Sequence, residues 1–261
     1  HGLGLNVLLY TTVINFLDPE QPVYGLQAKG LNGVDEPLDS MEKIASYYIS
    51  EIQSVDNEGP YALAGFSLGG KIAYEMARQL HEMGKRVSFL GLVDTTADGA
   101  VSHYPFFDRN VYRLKYATNF IFWNIASFFK EPNRTKLSVI RRKWQGLMKK
   151  LRRMDIKVQK QDAISKGKRN ELPKYLRKVH RANHIADRNY IIKPYDGCVH
   201  LYKAQKQTFY IPEPEDYGWN RVAKGGVIIH EIPGEHSNTF APPNDKFFAE
   251  ILQQTLDQAN N

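Results

Sequence analysis

The sequence predicts an α/β protein in which a mostly parallel central sheet is flanked by helices and carries an inserted helical segment. Strand-like and helix-like patterns alternate in the first 100 and the last 65 residues or so of the 261-residue chain. The apolar run from Arg86 to Val93 is typical of a central strand buried on both faces. Between these parts lies a segment with helical patterns and no convincing strand, and the whole length suits a single domain.

The predicted elements follow one another in the order expected of repeated strand-helix units. Strands are predicted at residues 22–28, 60–64, 86–93, 199–204 and 226–232, and helices at about 41–52, 69–83 and 244–258. Asp39 and Glu42 resemble a capping box that opens the first helix. The catalytic body is therefore predicted at residues 1–103 and 191–261, and a helical lid at 104–190.

Ser67 is the strongest nucleophile candidate because it lies at the centre of Gly65-Phe66-Ser67-Leu68-Gly69, between an apolar strand pattern and a helical pattern. A strand-turn-helix of this kind strains the serine backbone and needs small residues two positions away on either side. Gly65 and Gly69 meet that need. The helix that follows directs its N-terminal amides at any anion forming beside the serine.

A serine hydroxyl needs a base, and the base needs an orienting carboxylate. His236 is the predicted base, since Pro233-Gly234-Glu235-His236 forms a turn directly after the last strand pattern. Asp94 is the favoured acid because it ends the strand after the nucleophile strand, at the same sheet edge as the serine. Four other carboxylates remain alternatives near the following strand: Asp196, Glu213, Glu215 and Asp216.

The predicted lid differs from the rest of the chain in its charge. Residues 130–188 contain 20 Lys and Arg against 5 Asp and Glu, so the net charge of +7 and the pI of about 9.2 describe this segment rather than the body. A solvated surface is the ordinary explanation of such a run. No zinc, RNP or helix-turn-helix signature accompanies the charge, so no nucleic-acid partner is predicted.

The remaining composition predicts a cytoplasmic enzyme without a metal. Cys198 is the lone cysteine, which excludes an internal disulfide and favours a reducing compartment. No apolar stretch is long enough for a membrane span. The His180/His184 pair lacks the acidic third ligand and the glutamate of known zinc motifs. An aromatic run in the lid is predicted to cover Ser67 and line an acyl pocket: Phe120, Phe122, Trp123, Phe128 and Phe129.

The motifs together resemble one family. Gln21 to Leu31, Gly59 to Gly70, Leu92-Val93-Asp94 and Pro233 to His236 are similar to the type I thioesterase domains that end nonribosomal peptide and polyketide synthases. The similarity spans the body, and Tyr24 to Leu31 is closer to the carrier-fused domains than to stand-alone editing thioesterases. The resemblance implies an α/β-hydrolase fold and a Ser67, Asp94, His236 triad.

The resemblance also implies the substrate and the partner. The substrate would be an acyl, peptidyl or polyketide chain on the phosphopantetheine thiol of a carrier domain, which is expected to be fused upstream in cis. The chain would be released by hydrolysis or cyclisation, with no cofactor bound by this domain. The oxyanion would bind the backbone amides of Leu68 and Leu3. Carrier domains are typically acidic, so basic lid residues are predicted to attract them: Arg141, Arg142, Lys143, Lys149, Lys150, Arg152 and Arg153.

The chain departs from the family pattern at its start. It begins at the oxyanion loop, so the central strand that normally precedes that loop is absent from the sequence. Either the chain is a fragment of a longer protein or a partner supplies that strand, and the fragment is the favoured explanation. A general esterase or lipase remains an alternative function, as do a stand-alone editing thioesterase and a non-catalytic binding module of the same fold.

Overall fold

Four strands form one parallel sheet in the part of the chain that the structure describes. The computed structural model describes residues 1–2, 7–97, 118–120, 122, 173–208, 210–211 and 213–260. The strands are β1 (Tyr61–Phe66), β2 (Val87–Val93), β3 (Val199–Lys206) and β4 (Val227–Glu235). They lie in the order β1-β2-β3-β4, and every pairing is parallel. All four carboxyl ends therefore meet at one edge of the sheet.

Helices connect or follow these strands. They are α1 (Thr11–Ile14), α2 (Met41–Val55), α3 (Leu68–Glu82), α4 (Lys174–Asn189) and α5 (Asn244–Asn260), with 3-10 turns at Leu8–Tyr10 and Trp219–Arg221. The described strands and helices lie within about two residues of most of the predicted ones. The α/β prediction is confirmed.

Alternate residues of the central strands pack against opposite helical layers. On β2, Leu90 and Leu92 join the core formed with α2, α3 and α4. Phe89 and Val93 belong to the second core, formed with α1 and α5. Because successive strand side chains point to opposite faces, a strand covered on both sides must be apolar at nearly every position.

Helix α4 packs with the body of the protein, although it was predicted to belong to the lid. The two compact units of the chain are His1–Tyr104 with Lys174–Asn261, and Pro105–Pro173. The Lys71 ammonium donates to Asp187 of α4 at 2.9 Å, and the Tyr190 hydroxyl donates to the buried Glu75 carboxylate at 2.8 Å. These polar contacts and the buried Val179 attach the helix to the first unit.

Two local predictions differ from the structure. Residues 22–28 form no strand, because no described strand pairs with them and Val23 and Tyr24 are exposed rather than half-buried. A strand needs a neighbouring ladder and a covered face to be stable. Helix α2 begins after Ser40 rather than after Asp39, and the Ser40 hydroxyl donates to the Glu42 carboxylate at 2.5 Å.

Candidate active site

The backbone around Ser67 forms a tight turn between β1 and α3. Ser67 has φ 55° and ψ −118°, a backbone conformation that residues other than glycine rarely adopt. Its amide donates to the Val93 carbonyl at 3.0 Å. A Cβ at position 65 would overlap the backbone of Gly69. This close approach of β1 and α3 is the reason why small residues are needed beside the serine, as predicted.

Asp94 lies one residue beyond β2 and is almost completely buried. Its backbone has φ 43°, and its amide donates to the Tyr202 carbonyl at 2.7 Å. Oδ1 of its carboxylate accepts hydrogen bonds from the Ala204 amide at 3.2 Å and from the Tyr217 hydroxyl at 3.1 Å. A histidine binds the other oxygen, Oδ2, so three groups in all fix the carboxylate.

That histidine is His236, which directly follows β4. Its Nδ1 lies 2.6 Å from Asp94 Oδ2, and its ring stacks on Phe66 with centroids 4.6 Å apart. An ionised carboxylate can only accept, so Nδ1 carries the proton and Nε2 of a neutral ring is left as the acceptor. Phe66 immediately precedes Ser67, which puts the imidazole beside the nucleophile turn.

Three of the four other carboxylates considered from sequence have different partners. Asp196 is exposed and pairs with Lys224 at 2.9 Å. Asp216 accepts from the backbone amides of Gly218 and Asn220, which fixes the local turn. Glu213 pairs with Arg221. Among these candidates, Asp94 is the carboxylate in hydrogen-bond contact with His236.

The start of the chain lies against the same turn. A Cβ at position 69 would approach the His1 carbonyl oxygen to 2.8 Å, and one at position 2 would contact Phe66. Leu68 is the first residue of α3, where backbone amides have no partner within the helix. Leu3, the other predicted oxyanion donor, lies outside the described residues.

Most of the predicted lid residues also lie outside the described residues. Phe120 and Phe122 are described, both in helical conformation and both exposed. The pocket and docking assignments stay predictions for the others: Trp123, Phe128, Phe129, Arg141, Arg142, Lys143, Lys149, Lys150, Arg152 and Arg153.

Two residues of the site were not predicted from the sequence. Tyr217 reaches Asp94 from a loop 123 positions later, and the Thr95 hydroxyl donates to the Ser67 carbonyl at 3.1 Å. Neither residue belongs to a motif with known chemistry. Only the residue order Asp94-Thr95 directly after a buried strand could have indicated Thr95, and no sequence signal indicated Tyr217.

Two kinds of feature are absent from the described part of the chain. No group of three or more His, Cys, Asp or Glu in it is arranged to hold a metal ion. Among its helices, none has the length and apolar character needed to cross a membrane.

The first part of the chain matches a known protein family. Residues 1–105 match the thioesterase domain family, which confirms the resemblance predicted for this part. Malpibaldin synthetase of Mortierella alpina is 41% identical over 38% of this chain, which corresponds to 2% of the synthetase. Polyketide synthase PksR of Bacillus subtilis (strain 168) is 46% identical over 29% of this chain and 3% of its own length. The chain thus spans a very small share of these curated relatives.

Solved structures extend the comparison to nearly the whole chain. The four-domain nonribosomal peptide synthetase holo-AB3403 superposes with a TM-score of 0.65 at 23% identity, over 98% of this chain and 19% of that protein. The NocB thioesterase domain, solved in covalent complex with a fluorophosphonate nocardicin G analog, gives 0.60 at 19% identity, over 97% of this chain and 90% of that domain. The predicted α/β-hydrolase fold is confirmed.

Proposed function

We propose, from the premise that residues 1–105 match the thioesterase domain family, that this chain is a chain-releasing thioesterase domain of a nonribosomal peptide or polyketide synthase. Its substrate would be an acyl, peptidyl or polyketide chain held as a thioester on the phosphopantetheine arm of a carrier domain. The observation that carries the proposal is the hydrogen bond from His236 to Asp94, next to a serine in a strained strand-helix turn.

The proposed reaction begins with acyl transfer to Ser67. His236 Nε2 takes the proton from Ser67 Oγ as the oxygen attacks the thioester carbonyl carbon. Asp94 holds the Nδ1–H and stabilises the imidazolium that forms. When the tetrahedral intermediate collapses, the carbon–sulfur bond breaks and the imidazolium proton goes to the leaving thiolate. The products are a free phosphopantetheine thiol and an acyl-enzyme.

The second half-reaction releases the chain. Water attacks the Ser67 ester to give a free acid, or a hydroxyl or amine of the same chain attacks it to give a ring, with His236 accepting the nucleophile's proton and returning it to Ser67 Oγ. In both halves the oxyanion would be bound by the Leu68 and Leu3 amides, supported by the N-terminus of α3.

Replacing the nucleophile tests the proposal directly. Ser67→Ala should abolish the acyl-enzyme seen by intact-protein mass spectrometry and lower turnover of a carrier-bound acyl thioester by about a millionfold, because the attacking oxygen is gone. Ser54→Ala is the matched control, since this exposed α2 hydroxyl bonds only within its own helix. Unchanged turnover in Ser67→Ala would contradict the proposal.

The alternative functions give different results with a substrate panel. A general esterase would hydrolyse simple esters as fast as thioesters of the same chain. A stand-alone editing thioesterase would favour short acyl groups on the carrier over the long native chain. A non-catalytic module would leave Ser67 unlabelled by a fluorophosphonate probe. Labelling of Ser67 together with preference for long carrier-bound chains is the result that we expect.

A further inference from the structure

Backbone strain marks one residue besides the proposed nucleophile and acid. Across the described ranges, the non-glycine residues with positive φ are Ser67 at 55°, Asp94 at 43° and Tyr217 at 54°. Such conformations cost free energy and persist where the surrounding structure enforces them, often at functional sites. Two of the three residues belong to the proposed triad, so the third needs an explanation.

The contacts of Tyr217 supply that explanation. The residue is buried, and its hydroxyl donates to Asp94 Oδ1 at 3.1 Å. Asp94 Oδ2 is the atom that accepts from His236 Nδ1. Tyr217, Asp94 and His236 thus form one continuous hydrogen-bonded line that ends at the imidazole.

The turn that contains Tyr217 also anchors the backbone after Asp94. The Ala97 amide donates to the Tyr217 carbonyl at 2.9 Å, and the buried Trp219 indole donates to the Thr95 carbonyl at 2.6 Å. Thr95 in turn bonds to the Ser67 carbonyl. The unusual φ of Tyr217 lets one short turn hold both the side chain and the backbone of the acid segment.

We propose that Tyr217 is a positioning residue of the active site, which acts through Asp94 on the orientation and basicity of His236. By donating to Oδ1, the phenol holds the carboxylate in the plane that presents Oδ2 to Nδ1. It also draws negative charge from the carboxylate. The inference rests on the proposed triad, and it does not depend on the identity of the acyl chain.

Other charged groups around Tyr217 belong to this environment. From β3, the Lys203 ammonium lies 5.9 Å from the centre of the Tyr217 ring and donates to the Pro214 and Glu215 carbonyls. Arg221 and Glu213 form an ion pair on the same loop. Burial, and next the Asp94 charge, raise the pKa of Tyr217, so the phenol stays protonated as a donor.

Tyr217→Phe tests the inference because it removes the hydroxyl and keeps the ring. A hydrogen bond to a charged group is lost, so kcat/KM for a small acyl thioester should fall by about 10- to 100-fold with KM little changed. The acidic limb of the pH profile should move to higher pH, because a carboxylate with one donor fewer stabilises the imidazolium more strongly. In the Asp94→Asn background, Tyr217→Phe should have almost no further effect on kcat/KM.

Tyr74→Phe is the matched control. Tyr74 is another fully buried tyrosine, and its hydroxyl donates to the Lys193 and Val222 carbonyls instead of to a site residue. It should leave the pH profile in place. The rate of Ser67 labelling by a fluorophosphonate gives a second readout that stays valid even if thioesters prove to be poor substrates, in which case the proposed function alone would fail.

Three results would overturn the positioning role. The first is a Tyr217→Phe protein with wild-type labelling rate and pH profile. The second is a full additional loss in the Asp94→Asn background. The third is a fall in thermal stability well beyond that of Tyr74→Phe, with no kinetic defect in the folded fraction, since Tyr217 would then serve only folding.

Discussion

The turn at Ser67 depends on nearby glycines, because a side chain at their positions would overlap neighbouring atoms. A Cβ at position 65 would overlap Gly69, and one at position 70 would overlap the Thr95 hydroxyl. Close packing of this kind lets β1, α3 and the segment after β2 meet within one residue of the serine. Thr95 then bridges this segment to the Ser67 carbonyl, so the same short stretch of backbone holds Asp94 and Ser67.

The proposed acid can be tested at a single position. Asp94→Asn should lower kcat by about ten-thousandfold, because the amide favours the wrong imidazole tautomer while keeping the shape of the side chain. The control variant is Asp196→Asn, since this exposed carboxylate bonds to Lys224. Near-normal kcat in Asp94→Asn, with a large loss in Asp216→Asn, would show that the acid is misassigned.

The three proposed triad residues can be predicted from the sequence, but the residues that position them cannot. Ser67 and His236 lie in short motifs with a local physical cause, and Asp94 follows from the rule that parallel strands share a carboxyl edge. Tyr217 contacts Asp94 from a distant part of the chain, and Thr95 contacts the backbone carbonyl of Ser67. Such contacts depend on the folded geometry and leave no local pattern.

At the scale of elements, predictions succeed where periodicity is strong. The buried runs of β2 and β3 and the amphipathic α2 and α3 have apolar residues spaced for one secondary structure only. Residues 22–28 contain β-forming residues, yet a strand exists only with a paired neighbour. Helix α4 is amphipathic, and its pattern alone cannot tell whether its apolar face meets the lid or the body.

Strands β3 and β4 carry a histidine pair that should make stability depend on pH. His200 Nδ1 lies 3.1 Å from His230 Nε2, and the rings stack almost in parallel. Burial lowers the pKa of both rings, and for His200 the neighbouring His230 lowers it further. The unfolded chain, with histidine pKa near 6.5, therefore binds more protons than the folded protein below about pH 6.5, so stability should fall as the pH falls through that range.

Urea unfolding at pH 7.5 and pH 5.5 would measure this effect. We expect the midpoint to drop at the lower pH in the wild type, and to drop less in His230→Gln because one of the two titrating rings is gone. His184→Gln, which changes an exposed histidine of α4, should keep the full drop. An equal drop in all three proteins would assign the pH dependence to other groups.

At the scale of the whole molecule, charge is divided between two parts of the sequence. Residues 130–188 carry an excess of fifteen positive charges, and the rest of the chain is net negative by about eight. A large excess of charge of one sign produces a field that raises the rate at which an oppositely charged partner is encountered. For a domain that acts on a carrier-bound chain, such steering would raise the rate of encounter without changing the chemistry at Ser67.

Charge reversal in the basic segment tests this steering. Changing Arg142, Lys149 and Arg153 to Glu should lower kcat/KM for a carrier-bound substrate and leave a small neutral thioester unaffected, since both reactions use the same site residues. Reversing Lys85, Lys224 and Lys246, which lie outside the basic segment and are at least partly exposed, makes the same change in net charge and should have less effect. The difference between the two triple variants should shrink as salt shortens the Debye length from about 10 Å at 0.1 M to about 3 Å at 1 M. Equal responses of the two substrates, or no dependence on salt, would mean that the basic segment is a solvated surface and that the carrier docks elsewhere.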